Sequence, residues 1–175
     1  SEMCIRDSNK SGHMNISGRR TLGSGSAALT VSALGFGCMG MNYNRSVSPS
    51  RKECIKVIRE AVERGVTLFD TAIIYGPLIT EELVGEALAP YKGQVAVTTK
   101  FGHEVINGKA TGRQNSRPEI IRRYCEESLR RLRVDCLEMF YQHRLDRNVP
   151  IEEVAGTIGD LIKEGKVKRL SLIHI

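Results

Sequence analysis

The sequence predicts an α/β fold built on a parallel sheet. The first observation behind this is a rhythm: short apolar runs alternate with amphipathic helical stretches, at repeats of roughly 30 residues or more, as βαβ units require. The second is that three of these runs end on a polar residue, Asp70, Lys100 and His143. The third is that a tyrosine, Tyr75, follows Asp70 in the stretch TLFDTAIIYG and is followed at once by the turn residues Gly76 and Pro77. Right-handed crossovers would curl such a sheet one way with its helices outside. A doubly wound sheet and a (β/α)₈ barrel would both begin like this, and the pattern alone does not choose between them.

Taken in order, residues 1–13 are polar and without periodicity, with Met14 as the expected true start. Arg19–Leu22 and Ala28–Val31, around Gly23-Ser24-Gly25-Ser26, read as a hairpin. Leu34–Gly37 reads as a short buried strand running into Cys38-Met39-Gly40-Met41, where the glycines permit close backbone approach. A GxGxxG phosphate loop is not matched. Ser48, with Pro49 behind it, is expected to cap a helix whose inner stripe is Cys54, Ile55, Ile58, Ala61 and Val62, stopped by Gly65. Val66–Phe69 is the next strand, ending at Asp70. Thr80 is expected to cap a second helix with Leu83, Val84, Ala87 and Leu88 inward.

Val95–Thr99 is a strand ending at Lys100, and 101–116 reads as a long loop of functional length. Ser116 is expected to cap an arginine-rich helix whose inner face is Ile120, Ile121, Tyr124, Leu129 and Leu132. Leu137–Tyr141 is a fourth strand, ending in Gln142-His143. Pro150 opens a helix through Ile151, Val154, Ile158, Leu161 and Ile162, closed by Gly165, and a fifth strand begins at Val167.

Composition narrows the function classes. With 175 residues and 41% hydrophobic content, the chain is long enough for one domain with a sizeable core. No run approaches the ~20 apolar residues of a membrane span, and the N-terminus has no signal-peptide core, so a cytoplasmic location is expected. The five cysteines show no CxxC spacing, which fits reduced thiols and no metal site. Cys38 reads either as an oxidation-sensitive thiol or, without a positive sequence neighbour to lower its pKa, as a small loop residue. The net charge of +6 does not point to nucleic acid. Much of it lies in 117–133, where Arg122 and Arg123 face Glu126 and Glu127, which in turn face Arg130 and Arg131, on a solvated helix face without interleaved aromatics.

In a barrel all parallel strands finish on one face, where Asp70, Tyr75, Lys100 and His143 would converge on one pocket. These residues, with LGFGCMGM (34–41), FDTAIIYGP (69–77), EELVGEAL (81–88), TTKFG (98–102), YQHRLD (141–146) and LIKEGKVK (161–168), carry a resemblance to the aldo-keto reductase family. It covers roughly 19–170, nearly the whole chain, and the wording is closest to the bacterial and plant branch. The resemblance implies a (β/α)₈ TIM barrel, here truncated after about five βα units and preceded by the hairpin. It also implies NADPH/NADP+ as cofactor and reduction of aldehyde or ketone carbonyls. The catalytic set would be Asp70, Tyr75, Lys100 and His143. Gly37, Cys38, Met39 and Asp70 would touch cofactor, and Met41, Tyr43, Phe101 and Arg144 would line the substrate pocket.

The domain expected from this is 14–170, with 1–13 and 171–175 as foreign sequence flanking a gene fragment of metagenomic type. An open parallel sheet would then leave the 175-residue chain poorly soluble and inactive alone. The expected partner is a small-molecule carbonyl compound, and the oligomeric state is unassigned. An alternative reading is a regulatory module of reductase fold that binds cofactor with little turnover.

Overall fold

The computed structural model describes residues 18–42 and 49–172. The flanks 1–13 and 173–175, the Ser48 cap and Tyr43 lie outside the described residues.

A hairpin of β1 (Arg19–Leu22) and β2 (Leu29–Ser32) pairs antiparallel, as its Gly/Ser turn predicts. The chain then enters a five-stranded sheet through β3 (Phe36–Gly37), β4 (Leu68–Asp70), β5 (Ala96–Phe101), β8 (Met139–Gln142) and β9 (Leu170–Leu172). Every pairing in it is parallel and the strand order follows the chain, β3-β4-β5-β8-β9. A doubly wound sheet reverses its strand order at a switch point. No reversal occurs here, and α1 (Arg51–Glu63), α2 (Ile79–Leu88), α3 (Pro118–Leu132) and α4 (Ile151–Lys163) pack successively against one another. This is the arc of a (β/α)₈ barrel, which resolves the choice the sequence pattern left open.

The apolar stripes sit inward. Cys54 and Ile58 of α1, Leu83, Val84, Ala87 and Leu88 of α2, Ile121, Tyr124, Leu129 and Leu132 of α3, and Val154, Ile158 and Leu161 of α4 form one core with Phe69, Phe101 and Phe140. Some edges of these stripes fall elsewhere. Leu34 is 62% exposed, and the strand expected there to be buried begins only at Phe36, with Phe36 half-buried and Gly37 exposed. Ile151 and Ile162 lie at the margin of α4, 36% and 39% exposed, because the helix presents a narrower face to the sheet than its apolar content suggests.

Helix starts also depart from expectation. α1 begins after Ser50, whose hydroxyl accepts from the Glu53 backbone while Glu53 accepts from the Ser50 N–H at 2.8 Å. This reciprocal capping box outcompetes a start at Pro49. α2 begins one residue before Thr80, from Leu78 at φ 72°, and Thr80 is buried inside the helix. α3 is entered from Arg117 with Pro118 in the first turn, while Ser116 is buried and its N–H donates to Asp146 at 2.9 Å.

The segment expected to be a loop, 101–116, is a second hairpin, β6 (His103–Ile106) and β7 (Lys109–Gln114). Its turn is Asn107-Gly108, both at positive φ (50° and 71°), the backbone that two-residue hairpin turns demand. Glu104 ties it together, accepting from Thr111 (2.9 Å), Arg113 (3.0 Å) and Asn115 (3.1 Å).

On α3, Arg123 and Arg131 do pair with Glu127 one turn away, at 4.0 and 3.3 Å. Arg122 and Glu126 instead reach across the groove, to Glu164 (2.7 Å) and to Lys166 (2.5 Å), because they flank α4. Arg131 also donates to the fully buried Glu81 of α2 at 2.7 Å, and Glu81 accepts from Thr99 of β5 at 2.6 Å. Such a buried carboxylate is tolerable only when its lone pairs are satisfied this way.

Helices α2 and α3 approach so closely at Gly85 that a Cβ there would lie 2.2 Å from the Arg131 carbonyl oxygen. Backbone cannot retreat as a side chain can, so Gly85→Ala is expected to cost about 1–3 kcal/mol by overpacking. A lowered urea midpoint at unchanged slope is the measurement; an unchanged midpoint would show that the two helices separate freely.

Candidate active site

The C-terminal ends of β4, β5 and β8 carry the polar residues expected there. Side chains alternate along a strand, and on β5 this puts Thr98 and Lys100 on the concave side, with Thr99 and Phe101 toward the helices. Lys100 is 5% exposed and forms a close ion pair with Asp70 of β4. Its ammonium also donates to the Thr71 carbonyl at 2.7 Å. Asp70 accepts a further bond from Thr98 Oγ1 at 2.8 Å, and its carboxylate keeps about a third of its surface open, 37%. Lys100 is thus buried against a carboxylate and a carbonyl, both supplied by the end of β4.

Tyr75 is carried by the turn after β4 and is 8% exposed. The Lys100 ammonium lies 5.1 Å from its ring centroid. His143, in the segment after β8, stands edge-on to Tyr75, with ring centroids 5.9 Å apart and planes at 87°. Four residues separated by up to 73 positions (143 − 70) therefore share one site, as strand-end placement anticipates.

The other expected positions divide. Gly37 pairs in register with Asp70, with open space where a Cβ would be, and Met39 is 46% exposed nearby in sequence. Cys38 points the other way and is fully buried in the core. Burial first, then the Asp70 charge, pushes its thiol up to about 12, while Lys100 pulls the other way. The small-residue reading of Cys38 is therefore the one its surroundings match. Met41 packs at the margin of the core, and Arg144 is exposed beyond His143. Phe101 does not line a pocket. It is fully buried, with its ring centroid 4.7 Å from that of Phe140, because a residue next to the inward Lys100 must face outward.

Sequence reasoning passed over three contributors. Thr98 is two residues before Lys100 on the same strand face, a signal that period-2 counting exposes. Tyr141 pairs with Lys100 in the β5–β8 register, and the ammonium lies 5.8 Å from its ring centroid. Burial, then the Asp70 charge, holds the Tyr141 phenol above its ordinary pKa, opposed by a bond with Thr98. His103, the first residue of β6, stands edge-on to His143 with centroids 4.9 Å apart and planes at 87°. Its position follows from Gly102, whose φ of 110° turns the chain off β5, and where a Cβ would lie 3.2 Å from the Arg144 carbonyl.

The model of the aldo/keto reductase family matches residues 33–173, which include all four of these strand-end and turn residues. The chain belongs to the aldo/keto reductase family. It is 40% identical over 149 residues to a probable aldo-keto reductase of Glycine max, an alignment covering 85% of this chain and 43% of that protein. An aldo-keto reductase of Bacillus halodurans, solved in its holo form, superposes with a TM-score of 0.77 at 28% identity, over 89% of this chain and 50% of the other. One from Klebsiella pneumoniae, solved in complex with NADPH, gives 0.67 at 29% identity, over 82% and 45%. The chain thus spans about half the length of the family members it matches. Among the described residues no cluster of ligating side chains suits a metal ion, and no helix is long and apolar enough to cross a membrane.

The thiol chemistry is directly checkable. Only a thiolate reacts, and with its pKa raised to about 12 Cys38 stays protonated through pH 7–9. Native-state alkylation at pH 8 followed by mass spectrometry is expected to label the partly exposed Cys136 well before Cys38, Cys54 or Cys125, which are buried. Rapid labelling of Cys38 in the folded chain would contradict its placement.

Proposed function

We propose that this chain carries the catalytic residues of an NADPH-dependent oxidoreductase that reduces aldehyde or ketone carbonyls to alcohols. The observation that carries this reading is the Lys100 ammonium, held by Asp70 and the Thr71 carbonyl and set 5.1 Å from the centroid of the Tyr75 ring. An ordinary phenol, with a pKa near 10, is a poor acid at neutral pH. A cation fixed beside it favours the phenolate and so makes the phenol a better proton donor. Asp70 pairs with that ammonium in place of the water lost on burial.

The residues present fit a dinucleotide at this mouth: Gly37 leaves its strand end open beside Asp70, and the Asp70 carboxylate retains exposed surface able to accept from a ribose hydroxyl. NADPH, when bound, supplies the hydride for the carbonyl carbon. Tyr75 delivers the proton to the carbonyl oxygen, which becomes the alcohol hydroxyl. His143, beside Tyr75, orients that oxygen and stabilises the charge developing on it. The five-stranded arc leaves β3 and β9 as its edge strands among the described residues, and the activity is proposed for the protein in which those edges are closed.

The test compares wild type with Tyr75→Phe in the protein carrying this chain. The substitution removes the acidic hydroxyl and little else. Aldehyde-dependent NADPH oxidation is expected to fall by about 10²–10⁴-fold, the usual contribution of general acid catalysis. NADPH affinity, read from cofactor fluorescence, is expected to be unchanged. Binding without turnover in the wild type would mark a cofactor-holding module instead, and equal turnover in the variant would remove Tyr75 from the mechanism.

A further inference from the structure

His103 is a half-buried imidazole outside the four-residue constellation, yet it touches it. Its ring stands perpendicular to His143 at 4.9 Å, and His143 stands perpendicular to Tyr75 at 5.9 Å. The three rings form a relay of edge contacts that ends on the proposed proton donor. Edge-to-face contacts at such separations have a preferred geometry, so each ring restricts the plane of the next.

We infer that His103 is a positioning residue, whose edge contact fixes the ring plane of His143 and so aims it at the substrate oxygen. This rests on the reductase reading above. The hairpin is built to hold His103 still. Gly102 presses against the backbone of His143 and Arg144, and the Asn115 N–H closes the hairpin base by donating to the Gly102 carbonyl at 2.8 Å. Farther along, the Val105 N–H donates to the buried Tyr124 hydroxyl of α3 at 3.0 Å. Burial first, then the Arg144 charge, keeps the His103 imidazole below its ordinary pKa. At neutral pH it therefore adds no cation beside His143 and contributes its ring alone.

If the contact is geometric, another aromatic ring should replace it and a methyl group should not. Steady-state kinetics of His103→Ala and His103→Phe in the protein carrying this chain provide the comparison, with NADPH affinity measured by fluorescence. Misplacing a catalytic group by an ångström costs about 10²-fold. His103→Ala is accordingly expected to lose roughly ten- to a hundredfold in kcat at unchanged NADPH affinity, with His103→Phe recovering most of it. Wild-type kcat in the alanine variant, or a phenylalanine variant as impaired as alanine at an unchanged melting temperature, would overturn the inference. Should the alanine chain not fold, His103→Gln serves as the ringless variant.

The His143 ring-proton NMR shifts keep this separable from the reductase reading. If wild type shows no turnover, that reading falls, and the shifts decide the contact. Displacement in the ringless variant with return in His103→Phe supports the positioning role, whereas shifts that never move refute it.

Discussion

The site depends on one buried cation. A lysine ammonium with 5% of its surface exposed persists as a charge only if partners replace the water it has lost. Lys100 has two, the Asp70 carboxylate and the Thr71 carbonyl, and both come from the end of the adjacent strand. Pairs of this kind add little net stability, since desolvation offsets most of the attraction. What they impose is geometry. With β4 and β5 in register at Asp70 and Thr98, the ammonium has a defined place beside the turn that carries Tyr75.

The opposite face of β5 solves a related problem differently. Thr99, directed toward the helices, donates to Glu81, and Arg131 closes the charge from α3. One strand is thereby tied to α2 and α3 by an ionic network on its outer side and to β4 by another on its inner side. The close approach at Gly85 is what brings the Arg131 segment within reach of Glu81. Neighbouring strands and helices are thus fixed to the same strand, and Lys100 inherits their rigidity.

Much of this was legible in the residues. Asp70, Lys100 and His143 announce themselves as polar residues closing apolar runs, and a parallel barrel gathers strand ends by construction. Helix stripes were readable for the same reason: burial selects a repeating face. The misreadings have local causes. Phe101 enters the expected pocket through the family resemblance alone, whereas strand alternation sends it to the side opposite Lys100. The hairpin 103–114 reads as a loop because its strands are short and largely exposed, although Asn107-Gly108 marks the turn. The start of α1 was placed at Ser48-Pro49, while Ser50-x-x-Glu53 held the stronger reciprocal signal. His103 had no comparable signal. Its contact with His143 exists only because Gly102 bends the chain back over a residue 40 positions later (143 − 103), a tertiary relation that no local pattern encodes.

The bond between the Asn115 N–H and the Gly102 carbonyl has a consequence for how such proteins diversify. It clasps the two ends of the hairpin where the chain leaves β5 and turns toward α3, so the base of the hairpin is closed whatever its tip contains. Lengthening a loop whose ends are already joined is inexpensive, about 0.6 kcal/mol for each doubling. The tip of the hairpin beyond Val105 can therefore change in length while the His103 contact and the buried lysine stay in place.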